Sequence, residues 1–121
     1  MQKTDYLTTN IILYCEKWKE TVRFYRDALA LEITFSSKWF VEFSLNEKSR
    51  LSIADQARSS IKSTDQKGIT ITLQVRNIDK LWNDFNKKNL DPTPIKIHPW
   101  NAKVFYVFDP EGHRIEIWQT I

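Results

Sequence analysis

The chain repeats itself. At an offset of 60 residues, Ile11, Leu13, Trp18, Val22 and Tyr25 fall on Ile71, Leu73, Ile78, Trp82 and Phe85. At an offset of 64, Arg50-Leu51-Ser52-Ile53 falls on Arg114-Ile115-Glu116-Ile117, while Val41 and Phe43 fall on Phe105 and Val107. A repeat of this length is the signature of one supersecondary unit used twice. With 121 residues there is room for two such units around a core and for little else. The sequence reads as a single domain, 1–121, with module one at about 5–56, a connection at about 57–67 and module two at about 68–121. The polar, serine-containing stretch from Ala54 to Gly68 supplies that connection.

Each module can be read by period. Asn10 to Cys15 and Thr70 to Val75 alternate as half-buried strands do, with Ile11, Leu13 and Cys15, and then Ile71, Leu73 and Val75, on one face. Those faces need cover. Trp18, Val22, Tyr25 and Leu29 recur at helical spacing, as do Ile78, Trp82 and Phe85, so a helix follows each first strand, with Trp18 and Trp82 in the core. Three shorter strands complete each copy, at Leu31–Phe35, Trp39–Leu45 and Arg50–Ala54, then at Ile95–His98, Lys103–Phe108 and Arg114–Trp118. The expected fold is therefore α+β: two tandem βαβββ modules forming a curved mixed sheet around a concave cleft, helices outside.

Composition excludes several classes. The balance of +3 is spread evenly, nine Lys/Arg against eight Asp/Glu in residues 1–60 and nine against seven in 61–121, so no basic patch speaks for nucleic acid. The apolar runs, such as Val104 to Phe108, are too short to span a bilayer, and Met1 to Asn10 carries no apolar leader segment. A cytoplasmic protein with neither membrane nor nucleic-acid partner is expected. The single cysteine, Cys15, offers neither a disulfide nor a thiolate cluster and reads as a small buried hydrophobe; as a nucleophile it would need a base that the sequence does not tie to it.

The second face of the strands is too mixed to be a core. Asn10, Ile12, Tyr14, Phe40, Glu42, Arg50 and Ser52 alternate out in module one, and Thr70, Thr72, Gln74, His98, Tyr106, Phe108, Arg114, Glu116 and Trp118 in module two. Aromatic, hydroxyl, amide and charged side chains together on one sheet face read as the lining of a pocket, the alternative being a face that meets water. The candidate ligand-binding set is Trp100, Tyr106, Phe108, Trp118, Arg114, Glu116, His98, Phe40, Glu42, Arg50, Gln74 and Tyr14, with the aromatics stacking and the polar groups orienting.

The run Phe105-Tyr106-Val107-Phe108-Asp109-Pro110-Glu111-Gly112-His113-Arg114-Ile115-Glu116-Ile117 resembles the terminal signature of the glyoxalase, bleomycin-resistance and extradiol dioxygenase superfamily, the vicinal oxygen chelate proteins. Asn10-Ile11-Ile12-Leu13 and Phe24-Tyr25-Arg26-Asp27-Ala28-Leu29 resemble its opening strand and helix, and Pro99-Trp100-Asn101 its Pro-Trp-Gly turn. Independently of any family, Asp109-Pro110-Glu111-Gly112 is a turn, structural rather than catalytic, and His113 after it is expected to be exposed.

The resemblance implies four metal-ligand positions on the concave face, which fall here on Asn10, Ser52, Thr70 and Glu116. Only Glu116 is a usual ligand, so no cofactor is expected. His98, Glu42 and Glu116 form a different triad that a metal could use if the fold gathers them. Otherwise Glu116 pairs with Arg114 or Arg50, contacts a ligand directly, or acts as a protonated acid.

The resemblance then implies, nearest to the non-metal members, a protein that sequesters a planar aromatic, neutral or anionic small molecule without catalysis. The basic charge speaks against a cationic drug such as bleomycin. A divergent metal-dependent lyase, isomerase or dioxygenase is the alternative, and a regulatory subunit that meets a protein is a third. A homodimer is expected, because two short modules leave open sheet edges.

Overall fold

A computed structural model describes residues 6–65 and 68–121. Residues 1–5, which include the start of module one, and residues 66–67 at the end of the connection lie outside the described residues. The chain divides into two compact units, Met1–Thr64 and Asp65–Ile121.

The first unit runs β1 (Thr9–Cys15), α1 (Trp18–Arg23), a π-helical turn (Phe24–Ala28), β2 (Glu32–Ser36), β3 (Phe40–Asn46) and β4 (Ser49–Asp55), ending in a short 3₁₀ turn. The second runs β5 (Thr70–Gln74), α2 (Ile78–Lys87), β6 (Lys96–His98), β7 (Ala102–Phe108) and β8 (Arg114–Thr120). The expected βαβββ order is present in both, and each unit builds its own four-stranded mixed sheet, β1-β4-β3-β2 and β5-β8-β7-β6. In each, the first strand pairs parallel with the last through a helical crossover, as parallel pairing requires.

The repeat extends to register. Asn10 faces Arg50 and Ile12 faces Ser52 in the first sheet, while Thr70 faces Arg114 and Thr72 faces Glu116 in the second. Across the antiparallel pairs, Glu42 faces Ser52 and Ser44 faces Arg50, matched by Tyr106 on Glu116 and Phe108 on Arg114. Equivalent sequence positions on the three longest strands of each sheet thus occupy equivalent places, and there the modules differ in side chain.

The cores lie between sheet and helix. In the first unit Tyr25, Phe43, Leu51 and Ile53 are fully buried, with the Phe24 and Tyr25 rings edge to face at 5.2 Å. In the second, Phe85 of α2 meets Phe105 of β7 edge to face at 5.8 Å, over Ile115 and Ile117. Cys15 is buried as expected.

Helical periodicity predicts Trp18, Val22, Tyr25 and Leu29 as one buried stripe, but the buried positions are Thr21, Val22, Phe24 and Tyr25. The cause is the π-helical turn, where Leu29 N–H donates to the Phe24 carbonyl at 3.0 Å and the wider turn brings two consecutive aromatics onto the core face. Trp18 and Trp82 are half-buried rather than core, and each indole N–H is satisfied by a backbone carbonyl, Trp18 donating to that of Ile53 and Trp82 to that of Thr93, both at 2.8 Å. Ile11, on the face assigned to the core, is 50% exposed. Alternation tells which face a side chain takes, not how far the helix covers it.

The Asp109–His113 turn is built from its own side chains. Asp109 Oδ1 accepts from the Glu111 and His113 amides at 3.0 and 2.8 Å, and Gly112 adopts φ 101°. His113, expected at the surface, is 1% exposed, with its Nδ1 2.7 Å from Asp109 Oδ2. The buried carboxylate draws the ring inward, as an imidazole supplies the donor that the carboxylate needs. Among the described residues, no helix is long and apolar enough to cross a membrane.

Candidate functional site

The helix-facing side of β7 is marked by Phe105 on Phe85 and by Lys103 Nζ, 3.1 Å from Asp79 of α2. Tyr106 and Phe108, one position along, therefore stand on the open side, together with Arg114 and Glu116 of β8. Glu116 accepts hydrogen bonds from the Thr72 hydroxyl at 2.7 Å and the Tyr106 hydroxyl at 3.3 Å. Hydroxyl donors, not an arginine, satisfy this carboxylate, so of the readings open for Glu116 the pairing with Arg114 or Arg50 is not the one formed.

Arg114 turns elsewhere. Its Nε donates to Thr70 Oγ1 at 2.9 Å and its guanidinium carbon lies 4.6 Å from the Tyr106 ring centroid. Stacking and the Nε bond fix the plane of the fork. Its two terminal nitrogens have no partner among the described residues. Beside it, opposite on β7, stands Phe108, 53% exposed; Trp100, 51% exposed, lies toward the other end of the same face. Trp100 meets Trp118 at 5.5 Å and His98 at 5.8 Å, making a continuous aromatic file. Asn101, in the left-handed region at φ 60°, turns the chain between His98 and β7 and sets Trp100 outward.

A cavity of about 260 Å³ adjoins this face, lined by Thr93, Pro94, Lys96, His98, Val104 and Tyr106. Sequence reasoning placed His98 and Tyr106 in the site and missed Thr93, Pro94 and Lys96. Lys96 carries the readable signal, being two positions from His98 on the same strand. Thr93 carries none, since it enters through tertiary pairing, its backbone N–H donating to the Tyr106 carbonyl at 2.9 Å and its hydroxyl accepting from the Tyr106 amide at 2.8 Å. Gln74, expected to orient ligand, donates its amide to Thr120 at 3.2 Å.

In the first unit the equivalent face is occupied by its own side chains. Ser52 donates to Asn10 Oδ1 at 2.8 Å, Asn10 Nδ2 donates to Glu42 at 3.4 Å, and Thr34 donates to Glu42 Oε1 at 2.8 Å. Arg50 is directed to its own hairpin: Nη1 donates to the Asn46 carbonyl at 2.9 Å, and Nε lies 3.9 Å from Glu42. Phe40 packs between Phe35 at 6.2 Å and Trp39 at 5.5 Å, while Tyr14 is half-buried beside Ala54.

These contacts test the metal positions that the resemblance implies. Asn10 and Ser52 bond each other, Thr70 accepts from a guanidinium, and Glu116 is held by two hydroxyls. Three neutral donors, one with a cation against it, do not fit a divalent ion. Among the described residues no group of three His, Cys, Asp or Glu could hold a metal ion.

Two βαβββ units in matched register, with polar and aromatic side chains on their open faces, define a tandem-module protein of the glyoxalase type. The glyoxalase-like domain model matches residues 8–121, and the chain belongs to that family. The protein YraH of Bacillus subtilis strain 168, itself uncharacterised, is 23% identical over 92% of this chain and 96% of its own. Lactoylglutathione lyase from Agrobacterium tumefaciens has a similar structure, with TM-score 0.77 and 18% identity over 97% of this chain and 96% of its own. TnmS3, an antibiotic-binding protein from Streptomyces sp. CB03234, matches with TM-score 0.81 and 11% identity over 99% of this chain and all of its own. At such identities the solved structures speak for the fold.

Proposed function

We propose that this chain is a small-molecule-binding protein that takes a planar aromatic, neutral or anionic ligand without a metal ion. One observation carries the reading: Arg114, fixed in plane over Tyr106, keeps its terminal nitrogens unengaged among the described residues, beside the exposed face of Phe108. A preordered fork next to flat apolar surface recognises a planar group that bears a carboxylate, a sulfonate or a polarised carbonyl. The likeness to an antibiotic-binding protein supports a sequestering role, and the donor set at Asn10, Ser52, Thr70 and Glu116 supports one without metal.

The protein acts as a homodimer in this reading. The edge strand β2 is exposed along its length, with Ile33 and Phe35 among its side chains, and open edges of this kind are usually paired.

The test is elemental analysis followed by ligand titration. Tag-free protein offered nickel, zinc, manganese and ferrous iron anaerobically and then dialysed retains no stoichiometric ion. Titration with anthraquinone-2-carboxylate then quenches tryptophan fluorescence saturably, and Arg114→Gln abolishes the saturable phase. About one retained ion per chain, or a titration indifferent to Arg114, overturns the proposal.

A further inference from the structure

The first unit holds a second concavity, away from its mixed face. Trp18, Lys19, Val22, Arg23 and Arg26 on the helical segment, with Ile33, Ser36, Ser37 and Val41 of the sheet, enclose about 270 Å³. Val22 and Val41 are buried and form an apolar floor. The Trp18 ring is held in one orientation by its indole bond to Ile53 at 2.8 Å, so it offers a fixed wall.

The charges of this groove are all of one sign. Lys19, Arg23 and Arg26 stand at i, i+4 and i+7, and no carboxylate lines the cavity. Like charges at this spacing cost helix stability, a few tenths of a kcal/mol per pair. Arg26 is bonded to Asp27 at 2.8 and 3.0 Å, and the Asp27 carboxylate also feels the Arg23 charge. Lys19 and Arg23 make no hydrogen bond or contact ion pair among the described residues, Arg23 acting on Asp27 only through its charge, and the Ser36 hydroxyl on the opposite wall makes no hydrogen bond. Ser37 is committed, donating to the Phe40 carbonyl. Two cations with no hydrogen bond of their own and a free hydroxyl, above an apolar floor with one aromatic wall, make a site with a charged end and a flat end.

We infer that this groove binds a small amphipathic organic anion, with its flat apolar body against Trp18, Val22 and Ile33 and its carboxylate or phosphate head between Lys19, Arg23 and Ser36. The volume lies near the lower limit of ligand pockets, roughly 300 Å³, and restricts the occupant to a single-ring body. This inference does not rest on the role given to Arg114, which belongs to the other unit.

The test is a two-dimensional amide NMR titration of the full-length protein with phenyl phosphate and with phenylacetate, using inorganic phosphate and phenol as head-only and ring-only controls. The Trp18 indole signal, assigned by Trp18→Phe, is expected to shift saturably with one or both aryl anions, which also identifies the head group. The double variant Lys19→Gln/Arg23→Gln weakens that binding tenfold or more, while Arg114→Gln leaves it unchanged; circular dichroism confirms that both variants fold. The inference is overturned by an unshifted Trp18 signal, by inorganic phosphate binding as tightly as phenyl phosphate, by an affinity indifferent to the double variant, or by loss of binding in Arg114→Gln.

Discussion

The Arg114 guanidinium lies 4.6 Å from the centroid of the Tyr106 ring, so one face of that ring is covered before any ligand arrives. Tyr106 is then a platform for the arginine, not a free stacking surface. Arg114→Lys keeps the charge but loses the planar fork and its stacking, so it is expected to weaken binding of anthraquinone-2-carboxylate about tenfold. Tyr106→Phe keeps the platform and removes only the hydroxyl bond to Glu116, so its affinity should stay within about threefold of the parent, a difference of less than 1 kcal/mol. Isothermal titration of the two variants side by side checks both.

His113 and Asp109 are both buried and meet at 2.7 Å. His113→Ala strips a buried carboxylate of a donor and is expected to cost about 2 kcal/mol in urea unfolding. His113→Asn restores a short donor at that position and should recover part of the loss.

Ser52 is fully buried and donates to Asn10 at 2.8 Å. Ser52→Ala leaves the Asn10 carbonyl oxygen short of a donor, and about 1 kcal/mol of destabilisation is expected. An unchanged denaturation midpoint would show that this pair contributes nothing to the first unit.

Ala30 sits at φ 56°, a left-handed conformation that ends the helical segment without glycine. Alanine is strained there by about 1 kcal/mol, so Ala30→Gly should raise the melting temperature despite the greater freedom of glycine in the unfolded chain. A lower melting temperature would locate the strain elsewhere.

The Arg26 hydrogen bond, reinforced by charge, holds the Asp27 carboxyl below the usual carboxylate range. A lowered value in the folded state means that any stabilisation is fully present above the ordinary carboxylate range and is lost as pH falls through the lowered value. The pair is exposed, so Asp27→Asn is expected to leave the melting temperature at neutral pH nearly unchanged. Thermal melts of both proteins from pH 7 to pH 3 show whether the difference stays small and shrinks toward acid.

The duplicated apolar pattern was sufficient to derive two βαβββ modules, the strand faces and the Asp109–Gly112 turn. Period and turn chemistry are local properties, and they need no knowledge of distant contacts. Even the matched register, Asn10 on Arg50 and Thr70 on Arg114, follows once both copies are folded alike. The open-face residues were legible for the same reason, because alternation sorts side chains to one side or the other of a strand.

What each of those side chains does was decided only in three dimensions. Arg50 and Arg114 hold equivalent sequence positions, yet one curls onto its hairpin and the other stacks on Tyr106, since the residue opposite Ser52 is Glu42 and the residue opposite Glu116 is Tyr106. His113 is buried because a carboxylate four residues back is buried, and Phe24 joins Tyr25 in the core because the helix widens by one residue. The groove at Lys19, Arg23 and Ser36 joins a helix to a strand more than ten positions away. Periodicity assigns a side chain to a face, but its partner is chosen by packing and hydrogen-bond satisfaction between segments that the sequence keeps apart.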